Sequence, residues 1–537
     1  DCGMFQGSPN ESVRNRVPFG FEPSELDTVL LTHAHLDHCG RLPLLVRGGY
    51  TGKIHATAGT IELATLVLLD SGHLHEEFAK REARWEKRHP GEVEADDRKE
   101  AEAYQAAIDL AASGGSEEGA VETADAPRAA VAAATSTAEA MTAGPRQPPE
   151  AGEHVETTIE PEPPVDWSTR DPEAELRGQP PALDIDLDEP LYTVKDAENT
   201  LDHFRPIDYD EEREVAPGVF ATFLDAGHIL GSAIIRLRVQ DGGEERVVVF
   251  SGDLGRPGTP IIRDPTYLTD ADYVLVESTY GGREHEPQDE AIRVLAETVR
   301  LVAESNGVLL VPSFAIGRTQ EVVWELDRLI ENGEIPLLPL YLDSPMATKA
   351  TGIYRRYSEY FDEETSKLLH DGATPLDYPS QVVTNTPKDS QAIQYAPRPY
   401  MIVASNGMLT GGRVVGHLRN LIDDPNATLL FVGYQGVGTL GAHLQAGAKT
   451  VRLDGQTRQV RCNVRSIAGF SAHADEGELL DWIGRFAGEK RAGDAGFPRK
   501  VFLVHGDPEA QTALEPKVRE LGFETHVPKW HQRVTLE

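Results

Sequence analysis

Apolar residues along this chain come in short runs that stop at polar clusters. Residues 28–31, 246–250 and 273–276 are β-rich runs of this kind, the pattern of buried strands that deliver side chains to a site at their C-terminal ends. Between residues 307 and 447 the rhythm changes, and apolar runs at 308–312, 337–342, 400–404 and 428–432 alternate with helical stretches. That alternation predicts an α/β fold with a parallel sheet covered by helices. Several of these strands lead into glycine-rich loops: Ala315-Ile316-Gly317-Arg318, Asn406-Gly407-Met408-Leu409-Thr410-Gly411-Gly412-Arg413 and Gly433-Tyr434-Gln435-Gly436-Val437-Gly438-Thr439. Backbone N–H groups at helix starts suit phosphate oxygens. Arg318, Gly411, Gly412, Arg413, Gly436 and Thr439 are therefore expected to form a phosphate-gripping edge that reads no bases.

The pattern fades between residues 91 and 190. Residues 113–164 hold few large apolar side chains and much Ala, Glu, Thr and Pro. Such a stretch cannot bury enough apolar area to offset ordering entropy, so a disordered insertion is expected, with 76–110 partly helical.

About half of the formal charge of −37 falls in this stretch, and the remainder of the chain is only mildly acidic. Total charge excludes no polyanionic partner, because counterion release depends on local contacts. With 537 residues the chain exceeds what one core sustains. Three scattered cysteines, Cys2, Cys39 and Cys462, give no disulfide framework and point to a reducing cytoplasm. No run is long enough to span a bilayer and no signal-peptide pattern opens the chain, so no membrane partner is expected. The chain opens at Asp1 without an initiating Met, and is taken as a fragment at that end.

The strongest chemical signal is His33-Ala34-His35-Leu36-Asp37-His38, directly after an apolar strand. Three imidazoles and a carboxylate within six positions, on a strand-to-helix loop, can converge on metal. One loop cannot close two sites, so further ligands should lie at later strand ends. His228, in Asp225-Ala226-Gly227-His228, and Asp253, in Phe250-Ser251-Gly252-Asp253, fit that expectation. A carboxylate at Asp253 can bridge two cations.

These motifs resemble those of the metallo-β-lactamase superfamily. Asp1 is similar to the first motif, His33 to His38 to the second, His228 to the third and Asp253 to the fourth. The resemblance implies an αββα sandwich and two Zn2+ per chain: His33, His35 and His228 on one, Asp37 and His38 on the other, Asp253 bridging, and Asp1 orienting a ligand from behind. Further along, Val274-Leu275-Val276-Glu277-Ser278-Thr279-Tyr280-Gly281 resembles motif A of the β-CASP ribonucleases, Gly469-Phe470-Ser471-Ala472-His473-Ala474-Asp475 motif B, and Val504-His505-Gly506-Asp507 motif C. The likeness is greatest to bacterial and archaeal relatives of the nuclease subunit of the eukaryotic cleavage and polyadenylation machinery. It implies a metallo-β-lactamase domain over residues 1–280 and 455–537, interrupted by a β-CASP domain over 281–454. The insertion at about 90–188 departs from the family core, and strands of the fold are expected before Asp1. His505 resembles the motif C histidine of RNA-directed members and would complete the second metal site.

From this follows an expected zinc-dependent ribonuclease acting on single-stranded RNA, endonucleolytic, 5′–3′ exonucleolytic or both, with a homodimer left open. His473 is expected to be the general acid and Glu277 the carboxylate that holds it, since both fall at the borders of the inserted domain; Asp37 counts with them as catalytic as well as ligating. His285 is a candidate cleft contact. His55, His73, His75, His417, His443 and His531 are read as surface or packing residues. A small-molecule hydrolase would share residues 33–253 but have no use for His473. A silent RNA-binding scaffold would have shed ligands that are all present in this chain, and a DNA nuclease is opposed by His505.

Overall fold

A computed structural model of the chain describes residues 1–5, 13–88, 93–112, 189–436, 438–453 and 455–536. Its first segment builds two facing sheets. Strands β1 (Thr28–Leu30), β2 (Lys53–Ala56) and β3 (Phe204–Pro206) form a three-stranded parallel sheet. Strands β4 (Glu212–Ala216), β5 (Val219–Asp225), β6 (Ala233–Asp241) and β7 (Glu244–Phe250) make an antiparallel meander, and β8 (Tyr273–Glu277) joins β7 in parallel. Leu30 of the first sheet packs against Ala221, Phe223, Ala233, Ile235 and Phe250 of the second. The outer face of the small sheet is covered by α1 (Leu36–Cys39), α2 (Leu42–Arg47), α3 (Ala58–Glu86) and, after α4 (Val93–Ala112), by α5 (Val194–Leu201). Ile54 of β2 shares this core with Leu42, Leu63, Leu68 and Ala197.

Residues 93–112 are helical, in line with the partial helix expected over 76–110, so the expected disorder does not begin at about 90. They form the helix α4, and its Tyr104 and Ala107 are buried against Val17. Ile108 and Ala111 pack against the same group, and Val17 and Trp530 supply its long-range partners. The expectation for 113–164 lies outside the described residues. After the insertion the chain returns to the helix it left: the Val194 N–H donates to Glu76 Oε1 at 2.9 Å.

The second body contains α6 (Gln288–Glu304), β9 (Val308–Pro312), α7 (Arg318–Glu331), β10 (Leu340–Asp343), α8 (Pro345–Arg356), α9 (Glu363–His370), β11 (Gln381–Val383), α10 (Pro387–Ala392), β12 (Tyr400–Ala404), α11 (Arg413–Leu421), β13 (Ala427–Phe431) and α12 (Leu440–Gln445). After α12 come a two-stranded ribbon, β14 (Thr450–Leu453) and β15 (Gln456–Gln459), and then β16 (Asn463–Ser466). The six-stranded sheet is parallel throughout, in the order β11-β10-β12-β9-β13-β16. Its central strands β9, β12 and β13 are buried at every position, as strands covered by helices on both faces must be. Strand β16 pairs with β13, so residues 463–466, assigned from sequence to the returning half, complete the inserted sheet instead.

The chain then returns through α13 (Glu476–Ala487), β17 (Lys500–Val504), α14 (Pro508–Glu520) and β18 (Thr525–His526). Strand β17 lies parallel to β8, giving the order β18-β17-β8-β7-β6-β5-β4. Leu479, Trp482, Ile483, Leu514 and Val518 of α13 and α14 cover its outer face over Val274, Val276, Val501 and Leu503. The path into the inserted sheet therefore leaves the C-terminal end of β8, and the path out returns through α13 to the start of the adjacent β17. Among the described residues no helix is long and apolar enough to cross a membrane.

Candidate metal centre

Strands β5, β7, β8 and β17 point the same way, so their C-terminal ends share one edge of the large sheet. The loop after β1 closes on that edge, with the Ala233 N–H donating to Thr32 O at 2.9 Å. Gly252 turns there with φ +56°, and a Cβ on it would sit 2.9 Å from Thr32 Cβ. Only glycine lets the loop carrying Asp253 press this close.

Four side chains meet at the first point. His33 Nε2 and His228 Nε2 each lie 3.1 Å from His35 Nδ1. Asp253 Oδ2 is 3.4 Å from His33 Nε2 and 3.6 Å from His228 Nε2. Burial first, then the neighbouring imidazoles, pushes His33 down to about 4 and His35 to about 3, and drives His228 far below the usual histidine range. All three rings are therefore neutral at pH 7, with lone pairs free to ligate. Two of the rings are fixed from behind at their outer nitrogens: Thr32 Oγ1 is 3.1 Å from His33 Nδ1, and Ala472 O is 3.2 Å from His228 Nδ1.

A second point adjoins it. His38 Nε2 is 3.2 Å from His505 Nε2, which is 3.6 Å from Asp37 Oδ2. Asp253 Oδ1 faces this group, 3.2 Å from His38 Nε2 and 3.5 Å from His505 Nδ1. The single carboxylate of Asp253 thus presents one oxygen to each cluster. Asp1 Oδ2 lies 2.8 Å from His38 Nδ1, while the Thr32 N–H donates to Asp1 Oδ1 at 2.7 Å, so Asp1 aims the His38 ring without entering the cluster. Burial lowers His38 and His505, but Asp253 and Asp37 outweigh it; His38 ends above the usual value and His505 at about 9. Burial would raise Asp37 and Asp253, yet the surrounding histidines hold both carboxyls well below their ordinary range.

Both groups satisfy the demands of divalent metal. They offer nitrogen and carboxylate donors that lie within 4.8 Å of one another. Asp253 Oδ1, buried, accepts no aligned hydrogen bond, which is costly for a charged oxygen unless a cation satisfies it. The same carboxylates, Asp253 and Asp37, that raise His38 and His505 would attract such a cation.

Beside the bridge stands a third pair. His473 Nδ1 is 3.1 Å from Glu277 Oε2, and its Nε2 is 3.9 Å from Asp253 Oδ2. Glu277 is fully buried and Oε1 also accepts the Leu254 N–H at 2.6 Å. Burial opposes a charged His473, but Glu277, then Asp253, raise it above the ordinary imidazole value. In the sequence these two residues stand at opposite borders of the inserted domain; the fold brings them into one hydrogen bond across 196 positions.

Several neighbours surround these groups, and of them only His285 is singled out from the sequence. Thr279 Oγ1 lies 3.2 Å from His505 Nδ1 and donates to His505 O at 3.2 Å, holding a histidine whose φ is +48°. His285 stands behind His473, its Nε2 3.1 Å from His473 O and its ring 4.3 Å from that of Tyr280. The Tyr434 hydroxyl donates to Asp507 Oδ2 at 2.7 Å, joining the loop after β13 to the loop carrying His505. The C-terminal edge of the inserted sheet thus meets the loops that carry the metal cluster.

The expected arginine contacts with phosphate require correction. Arg318 is 4% exposed and ion-paired with Glu321 one turn along α7. Arg413 donates to Asp343 Oδ1 at 2.7 Å, to Thr384 O and to Asn385 O. Asp343, itself fully buried, also bonds His417, Thr384 and Ser390. Both guanidiniums thus compensate internal carboxylates. Thr439 is engaged as the cap of α12, and Gly412, at φ +80°, makes the tight turn over Ser405 O. Gly411 and Gly436 remain as accessible loop backbone.

Three family descriptions match this chain: "Metallo-beta-lactamase superfamily" over residues 6–104, "Beta-Casp domain" over 319–444, and "Zn-dependent metallo-hydrolase RNA specificity domain" over 457–528. The chain is 32% identical over 536 residues to "Ribonuclease TTHA0252" of Thermus thermophilus, covering all of this chain and 94% of that protein. It is 29% identical to "Transcription termination factor FttA" of Methanosarcina mazei, over 98% of this chain and 66% of that one, and 32% identical to the protein of the same name from Thermococcus kodakarensis, over 63% and 52%. The chain spans about half to two-thirds of the length of these last two relatives.

Proposed function

Because this chain belongs to the β-CASP family of the metallo-β-lactamase superfamily, we propose that it is a zinc-dependent ribonuclease hydrolysing phosphodiester bonds of single-stranded RNA. The observation that carries this reading is the Asp253 carboxylate shared between two clusters, with the His473–Glu277 pair 3.9 Å away at the cleft. His33, His35 and His228 would hold one ion, Asp37, His38 and His505 the other, with Asp253 common to both. When bound, a pair of divalent ions supplies a water nucleophile of lowered pKa and neutralises phosphate charge.

The chain's own residues do the rest. Asp1 and Thr279 fix the rings of His38 and His505. The Nε2–H of His473 delivers a proton to the departing 3′ oxygen, leaving a 5′-phosphate on the downstream product. Glu277 keeps that ring oriented and charged. The loop backbone at Gly411 and Gly436 offers N–H groups to the RNA phosphates. A small-molecule hydrolase has no need of the inserted sheet or of His473. The cytoplasm is the compartment proposed, in keeping with three free thiols, and light scattering decides between monomer and homodimer.

The deciding experiment incubates zinc-loaded protein with 5′-phosphorylated and internally labelled single-stranded RNA beside an Asp37→Ala/His38→Ala control. Cleavage that vanishes in the control, with the variant binding less zinc, is the expected result, and the product ladder separates internal from 5′–3′ cutting. A folded two-zinc protein that leaves RNA intact overturns the reading.

A further inference from the structure

In a chain of net charge −37, residues 449–466 carry Lys449, Arg452, Arg458, Arg461 and Arg465 against one acid, Asp454. The ribbon β14–β15 sorts these cations by its two-residue period. Val451 and Leu453 point into the apolar core beneath, and Arg458 on the same side reaches Asp423 Oδ2 at 2.8 Å. The other face presents Thr450, Arg452, Thr457 and Gln459, with Arg452 opposite Thr457 and Thr450 opposite Gln459. All four are exposed. At the base the Val460 N–H donates to Lys449 O at 2.9 Å, so Lys449 stands opposite Val460 with Arg461 next along the chain, and both cations are exposed. Among the described residues none of Lys449, Arg452 and Arg461 makes an ion pair.

The ribbon's place in the chain gives this face a direction. On one side α12, only six residues or about 9 Å long, separates it from the loop of Tyr434 and Thr439 that faces the metal cluster. On the other side β16, four residues or about 13 Å, is the outer strand of the sheet and runs straight into the loop carrying His473. The ribbon therefore lies at the N-terminal edge of the inserted sheet, about one β16 length from the edge that carries those two loops, and an RNA that occupies the site reaches it only if it is long enough to run down the sheet.

We propose that the β14–β15 ribbon is a second contact for single-stranded RNA, a rail on which Lys449, Arg452 and Arg461 grip the phosphate backbone outside the catalytic cleft. Hydroxyls and amides stand between the cations and no aromatic ring lies on this face, so it holds phosphates without stacking or reading bases. The inference rests on the ribonuclease reading.

The test compares the full zinc-loaded chain with Lys449→Gln/Arg452→Gln/Arg461→Gln on bis(p-nitrophenyl) phosphate and on RNAs of roughly six and roughly twenty-four nucleotides, a range spanning single-strand site sizes. The variant should keep its rate on the small diester and on short RNA, while KM on long RNA rises about tenfold. The salt slope of log kcat/KM on long RNA should fall by about 2, close to 0.7 for each of three phosphate contacts. Arg238→Gln/Arg246→Gln, on the far sheet, should change neither. Unchanged kinetics on long RNA, an equal loss on short RNA, or an equal loss in the Arg238/Arg246 variant overturns the rail. A wild-type protein that hydrolyses the diester but no RNA overturns the ribonuclease reading and the rail with it. Binding of an acidic protein that RNA does not displace would assign the face to a different partner and overturn it too.

Discussion

Replacing Glu277 by Gln tests the acid role of His473 most sharply. Glu277 is fully buried and its two oxygens already serve the Leu254 N–H and His473 Nδ1. Gln keeps the first bond through its carbonyl oxygen but turns an NH2 group toward the imidazole. His473 can then be satisfied only as a neutral ring accepting at Nδ1, and it loses the nearest negative charge. Removing a buried counter-charge is worth roughly 1–3 pK units, or about 1.4–4 kcal/mol. General-acid catalysis contributes about 10²–10⁴-fold. Glu277→Gln should therefore cost at least about tenfold, and His473→Ala about 10²–10⁴-fold, on RNA, whose leaving alkoxide needs a proton. On bis(p-nitrophenyl) phosphate, whose phenolate leaves without one, both variants should stay within a few-fold of wild type. The assay is kcat on the two substrates in parallel, with zinc content measured on the same samples. Equal losses on both substrates at unchanged zinc content would refute the reasoning, because they would place the pair in support of the metal cluster and not at the leaving group.

Two further outcomes follow from buried charges away from the metal. Glu325 is 2% exposed, its Oε1 has no hydrogen-bond partner, and burial, then Glu321, pushes its carboxyl up to about 8. The folded protein retains this proton from the ordinary carboxyl range up to about pH 8 while the unfolded chain has lost it, so stability falls as pH rises through that window. Glu325→Gln should remove up to about 2–4 kcal/mol of this dependence, seen as a smaller difference in urea midpoint between about pH 5 and about pH 9; a parallel dependence in the variant contradicts it. Asp343→Ala should destabilise by about 3–5 kcal/mol by leaving Arg413 and His417 unpaired in the interior, and an unchanged denaturation midpoint would show that the cluster is not structural.

Features with a local cause were legible in the amino-acid sequence alone. Three histidines and an aspartate in six positions define a metal loop in any fold, because their spacing alone lets them converge. His228 and Asp253 were readable as further ligands because each follows an apolar run that stops, and the βα alternation of residues 308–432 announced a parallel sheet because such strands are buried on both faces. The resemblance to known motifs extended this to Glu277, His473 and His505. Whatever depends on a partner far along the chain was decided by tertiary structure. Arg413 looks like a phosphate ligand in sequence, since nothing local shows that Asp343, 70 positions earlier, will be buried against it, and Arg318 pairs with a near neighbour whose burial only the fold decides. Helix α4 is expected from sequence only as part of a partly helical stretch, and its place is set where Tyr104 and Ala107 find Val17. Strand β16 joins a sheet whose other members end more than 30 positions earlier. The reason is the same in each case: periodicity and spacing report what one element does by itself, while charge compensation and strand pairing depend on which surfaces the finished fold brings together.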